Sequence, residues 1–201
     1  MTPSQKALLS QALSGLITVG CMHEALYNAL VSENVKLDFG MLPNAVNPAN
    51  YNPYNKSIKF RDYNSITTES IKEELFHAWQ DAYYPGGIAQ YGKDAQGNKL
   101  PGYVNVEFEA KVFKDLIMTF GGYSAFLKYD TPEEIEIYEE YRDWIESVKD
   151  DPSILQNESV YHYWLDLFNE HNPLYSSPKS NDFSSFHGLY DSISNSNCFN
   201  N

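Results

Sequence analysis

The chain has 201 residues, 42% of them apolar, which is enough for one domain with a substantial core, and no shift in composition marks a second. Its 27 acidic residues outnumber the 14 basic ones for a net charge of −13, and Lys and Arg form no cluster that could track a phosphate backbone, which argues against a nucleic-acid partner. No apolar segment is long enough to span a bilayer.

Residues 4–32 carry apolar side chains at helical spacing, with Leu9, Leu13, Leu16 and Ile17 on one stripe and a break expected near Gly20. Thr18-Val19-Gly20-Cys21 faintly resembles a lipoprotein cleavage site, but Ser10, Gln11 and Ser14 interrupt the apolar run, so an amphipathic helix is the better expectation. The expected location leans cytoplasmic, with a lipoprotein-type envelope location left open. Cys21 and Cys198 lie near opposite ends of the chain; a bridge would require those ends to meet, and two cysteines specify no framework, so no disulfide is expected.

Val35 to Phe39 alternates as a half-buried strand does, residues 40–56 hold Pro43, Pro48 and Pro53 among asparagines and read as a loop, and Ser57 to Phe60 alternates again. A helix is expected from Thr67 to Tyr84, capped by hydroxyls at its start and stopped before Pro85-Gly86-Gly87, and residues 85–104 read as an irregular loop. Val106 to Phe120 returns to helical spacing and ends at Gly121-Gly122. Pro132 opens a further helix in which Ile137, Tyr141, Trp144 and Val148 form one stripe, and the last helix runs from Glu158 to about Glu170. Beyond Pro173 the sequence is rich in Ser and Asn, and disorder is expected from Asn195.

The 67–84 helix carries the chemistry. At about 100° per residue, Ile71, Leu75, Ala78 and Ala82 share one side, while Glu73, His77, Gln80 and Asp81 share the other, with Glu74 at its margin. In the H-E-x-x-H arrangement two histidines one turn apart bind zinc, and the Glu after the first is the general base. Here Lys72-Glu73-Glu74-Leu75-Phe76-His77 keeps the base position at Glu74 and the second ligand at His77, with Glu73 in the first-ligand position. The bland alternative is a carboxylate and imidazole paired across one turn of a solvated helix.

Glu74-Leu75-Phe76-His77-Ala78-Trp79-Gln80 resembles the H-E-L-x-H-A-Y-Q form of the zincin-like metallopeptidases, with Trp79 in place of Tyr. Downstream, Asn105-Val106-Glu107-Phe108-Glu109-Ala110-Lys111 resembles the second helix of the glutamate-zincins, in which a Glu is followed by a small residue at +3 and an acid or amide at +4. The resemblance covers about residues 57–120. It implies a third ligand at Glu107, with Glu109 as the substitute candidate, and Lys111 departs from the family's pattern.

The expected fold is α+β and mostly helical, a zincin-like motif helix and glutamate helix with a small edge β-sheet, in one domain over residues 1–194 followed by a disordered tail over 195–201. The expected function is metal-dependent peptide-bond hydrolysis at a divergent site, with Glu73, His77 and Glu107 as metal ligands, Glu74 as base and His162 as a secondary candidate for a transition-state hydrogen bond. The alternative is a catalytically inactive zincin-fold binding or structural module. A Glu-His-Glu set is harder and more anionic than His-His-Glu, so Mn or Fe joins Zn as a candidate cofactor and the ion is a weaker Lewis acid; a degenerate site holds no cofactor. Lys111, one turn after Glu107, either offsets part of this acidic cluster or is an exposed surface lysine. The expected partner is a peptide or protein.

Overall fold

The computed structural model describes residues 1–117, 122–126, 130–194 and 198. The protein is α+β and mostly helical, with seven α-helices and one three-stranded sheet among the described residues. Its contacts group into two compact units, Met1–Ala89 and Gln90–Asn201.

The first unit opens with α1, Pro3–Val19, whose start is fixed by a capping box: the Thr2 hydroxyl accepts from Gln5 N while the Gln5 side chain accepts from Thr2 N. Gly20 separates it from α2, Cys21–Ser32, at the break expected from the sequence. The strands are β1 Asp38–Met41, β2 Ala49–Asn52 and β3 Ser57–Phe60, in the order β1-β3-β2, with β1 parallel and β2 antiparallel to β3. The first strand begins later than the alternation from Val35 suggests, because residues 33–35 finish α2. Glu33 N and Val35 N donate to Ala29 O and Leu30 O, and Asn34 takes the left-handed conformation.

The strand β2 lies inside the stretch expected to be a loop. Its pairing with β3, Tyr51 opposite Ile58, outweighs the poor strand propensity of Asn50 and Asn52. The helix α3, Thr68–Tyr83, runs as expected, with the Thr67 hydroxyl accepting from Ser70 N at 3.1 Å. Leu9, Leu16, Leu26, Leu30, Ile58, Phe60 and Ile71 are buried in this unit, where α1, α2, α3 and β2 pack on one another.

The second unit is built from α4 Tyr103–Leu116, α5 Pro132–Asp150, α6 Glu158–His171 and α7 His187–Ser194. A capping box between Thr131 and Glu134, with Pro132 in the first turn, starts α5. The expected stripe Ile137, Tyr141, Trp144 and Val148 is buried. Its core is aromatic: the Phe108 and Phe168 rings stack with centroids 4.8 Å apart, and Trp144 lies 5.5 Å from Trp164. The helix α4 starts three residues before Val106, at the left-handed Gly102, and Ser177 Oγ accepts from Val104 N at 2.9 Å. It ends at Leu116 with Ile117 as its C-cap, short of the expected Phe120, and residues 118–121 lie outside the described residues.

The helix α7 was not expected from its Ser- and Asn-rich surroundings. Phe186, Leu189 and Ile193 are all buried, so the segment is held by tertiary packing rather than by propensity. Residues 195–197 and 199–201 of the expected tail lie outside the described residues.

Both cysteines, Cys21 and Cys198, are disulfide-bonded, against the expectation of no bridge. Separation along the chain is a poor argument against a disulfide, since loop-closure entropy grows only logarithmically with length. No helix among the described residues is long and apolar enough to cross a membrane.

Candidate metal centre

The helix α3 carries Glu73, Glu74, His77, Gln80 and Asp81 at the predicted spacing, but the polar side does not face solvent. His77, Gln80 and Asp81 are only 9%, 0% and 6% exposed, whereas Ala82 of the apolar stripe is exposed. Buried polar groups persist only where they are hydrogen-bonded, so each partner is informative.

His77 Nδ1 lies 2.8 Å from Gln80 Oε1. In the tautomer in which Nδ1 donates to that carbonyl oxygen, Nε2 keeps the lone pair that a metal takes. An orienting bond of this kind to the second ring nitrogen is the usual support of a ligating histidine. Gln80 thereby acquires a role, and its signal in the sequence was its retention three residues after the histidine.

Glu74 Oε2 accepts from Tyr51 N at 2.5 Å. Arg61 N donates to Pro48 O, and with alternate residues of an antiparallel ladder hydrogen-bonded this register turns the Tyr51 amide away from β3, onto the outer edge of the sheet. The Tyr51 hydroxyl in turn donates to Asp81 Oδ2 at 2.7 Å, and Asp81 also takes the Lys56 ammonium and, at 2.9 Å, Ile88 N. Tyr51 therefore pins β2 to α3 at two carboxylates. Burial, then the hydrogen bond and charge of Asp81, drive its phenol well above the usual range. Nothing in the loop-like sequence around Tyr51 signalled this role.

On α4, Glu107 is half-buried and takes a hydrogen bond from the Tyr103 phenol, whose pKa is raised by burial and by the Glu107 charge. Glu109 is 1% exposed, and its Oε1 accepts from Leu189 N, in the first turn of α7, at 2.8 Å. This carboxylate is engaged at a helix N-terminus, where the exposed amides and the dipole favour negative charge. Lys111 is 7% exposed and its ammonium sits 5.3 Å from the centre of the Tyr175 ring, which removes the exposed-lysine expectation. Ala110, at the expected small position, is fully buried.

One ligand atom from each of Glu73, His77 and Glu107 lies within 4.8 Å of the other two. Zinc bonds of about 2.1 Å set tetrahedral donors roughly 3.4 Å apart, closer than the 4.8 Å within which these three lie. The donor chemistry fits a divalent cation: two carboxylates and one imidazole with an orienting partner. Glu109 is not among the three. Nor is His162, whose side chain is 44% exposed, 3.6 Å from Glu158 one turn earlier and edge-on to Tyr161 at 5.4 Å. No protein family, characterised protein or solved structure matches the chain.

Proposed function

We propose that the chain binds a first-row divalent metal through Glu73, His77 and Glu107, and that it is a divergent relative of the zincin-like metallopeptidases whose chemistry is metal-dependent peptide hydrolysis. The observation that carries this reading is the mutual proximity of those three donor atoms, supported by the His77 to Gln80 bond. An ion so held supplies Lewis acidity toward a peptide carbonyl and toward water. Glu74, next to a ligand and on the margin of the same face, is the group to take the proton from water. Two carboxylate ligands leave less charge on the ion than two histidines do, so Mn and Fe compete with Zn and the hydrolysis is slow.

One observation favours a second reading, a non-catalytic binding or structural module. The Tyr51 amide already occupies Oε2 of Glu74, one of the two carboxylate oxygens that a base could offer to water. Assay of an unfolded protein substrate separates the two. A catalyst cleaves it in a metal-dependent way and loses cleavage in Glu74→Gln; the module cleaves nothing in either form. The disulfide supports a location in an oxidising compartment, and a Cys21 held in it is not available as a lipid attachment point.

A further inference from the structure

A cavity of about 360 Å³ lies in the first unit, between the end of α2 and the flank of α3. Its volume is at the lower end of the range typical of small-molecule sites. Val35, Ala78 and Ala82 give it an apolar side, and the small alanines, one turn apart on α3, leave the space that larger side chains would fill. Tyr51, Lys56 and Asp81 supply a polar wall, and Asn34 and Lys36 complete the lining.

The charges of this lining are unequal. The Asp81 carboxylate, 2% exposed, already accepts from the Tyr51 hydroxyl, Lys56 and Ile88 N. Lys56 is half exposed, so its ammonium is paired on one side and open to solvent on the other. Lys36 is exposed and has no carboxylate partner among the described residues. Two lysines against one saturated carboxylate leave a net positive cavity on a chain whose net charge is −13. Such a local reversal of sign, beside an apolar surface, is complementary to an anion with a short apolar body.

We propose that this cavity binds a small carboxylate, its negative end on Lys36 and Lys56 and its apolar body on Val35, Ala78 and Ala82. The same chemistry is presented by a free carboxylic acid and by the C-terminus of a peptide with an apolar last residue. The site is independent of the metal, because none of Glu73, His77 and Glu107 lines it.

N-acetyl-leucine, titrated by isothermal calorimetry or by amide NMR shifts in the presence of EDTA, tests the site. The proposal expects saturable binding at least tenfold tighter than that of N-acetyl-leucinamide or of acetate, a loss of at least tenfold in Lys36→Glu, and no binding in Ala82→Phe, whose new ring enters the cavity. Lys36 and Ala82 are exposed, so both variants should retain the native circular-dichroism spectrum. Tighter binding of a tripeptide acid ending in leucine identifies the peptide C-terminus as the ligand, and tighter binding of N-acetyl-leucine identifies the free acid. Equal binding of acid and amide, absence of saturation, or unchanged affinity in folded Lys36→Glu overturns the proposal.

Discussion

Glu73 sets the character of the proposed centre. With a carboxylate where the zincin-like motif has imidazole, the three ligands carry two negative charges, and a hard ion gains relative to zinc. Glu73→His therefore raises zinc affinity at least tenfold, measured by competition with a chromogenic chelator, and its failure to do so would separate α3 from the zincin pattern. Tyr51 offers a second test. Tyr51→Phe removes a hydrogen bond to a buried carboxylate and costs about 1.5–3 kcal/mol by urea denaturation. A loss under ~0.5 kcal/mol would mean that the phenol is dispensable to the β2 and α3 contact. His23 gives a pH signature: burial, and then the nearby Lys72 charge, lower its pKa below the usual 6.5, with Glu69 opposing. Below that pH the unfolded chain takes up a proton that the folded chain resists, so stability falls on acidification through 6.5 and levels off below the folded value. His23→Gln removes this increment, and the drop in melting temperature between pH 7 and 5 should shrink relative to the native chain. An identical drop would assign the acid sensitivity to carboxylates instead.

At the scale of elements, what could be read in the sequence was whatever is decided locally. The hydroxyl at Thr67 and the Pro85-Gly86-Gly87 stop place α3 to within a residue, and Pro132 places the start of α5, because caps and first-turn prolines act within one turn. The spacing of Glu73, Glu74 and His77 along α3 followed from the helix alone. Its surroundings did not: periodicity says which residues share a face, not what covers that face, so the burial of His77, Gln80 and Asp81 was not visible. The strand β2 and the helix α7 were missed for the same reason, being held by pairing with β3 and by buried Phe186 and Leu189 against unfavourable composition. Glu107 and Glu109 are alike in residue type; the Ala110 spacing favours Glu107, and the amide of Leu189, far along the chain, engages Glu109. The turn after α3 is also testable: Gly87 has φ +73, and an added Cβ would meet Asp81 Oδ1. Gly87→Ala should cost ~1 kcal/mol or more in urea denaturation, whereas an unchanged midpoint would mean that the turn relaxes freely.

For the molecule as a whole, the disulfide and the acidic surface set the conditions of its life. A disulfide of this kind typically contributes about 2–4 kcal/mol, largely by restricting the unfolded chain. The denatured protein should show no free thiol until a reductant is added and two afterwards, with a lower melting temperature once reduced; two free thiols in protein kept under air would contradict the bridge. The net charge of −13 makes molecules of the protein repel one another.

The central claim is the metal, and elemental analysis of protein purified without chelator tests it most directly. The account predicts about one equivalent of Zn, Mn or Fe per chain in the native protein, retained through gel filtration and lost in His77→Ala and Glu107→Ala variants that keep the native circular-dichroism spectrum. A native chain that is metal-free and stays so after incubation with each ion, or one that keeps its metal in both variants, would contradict it.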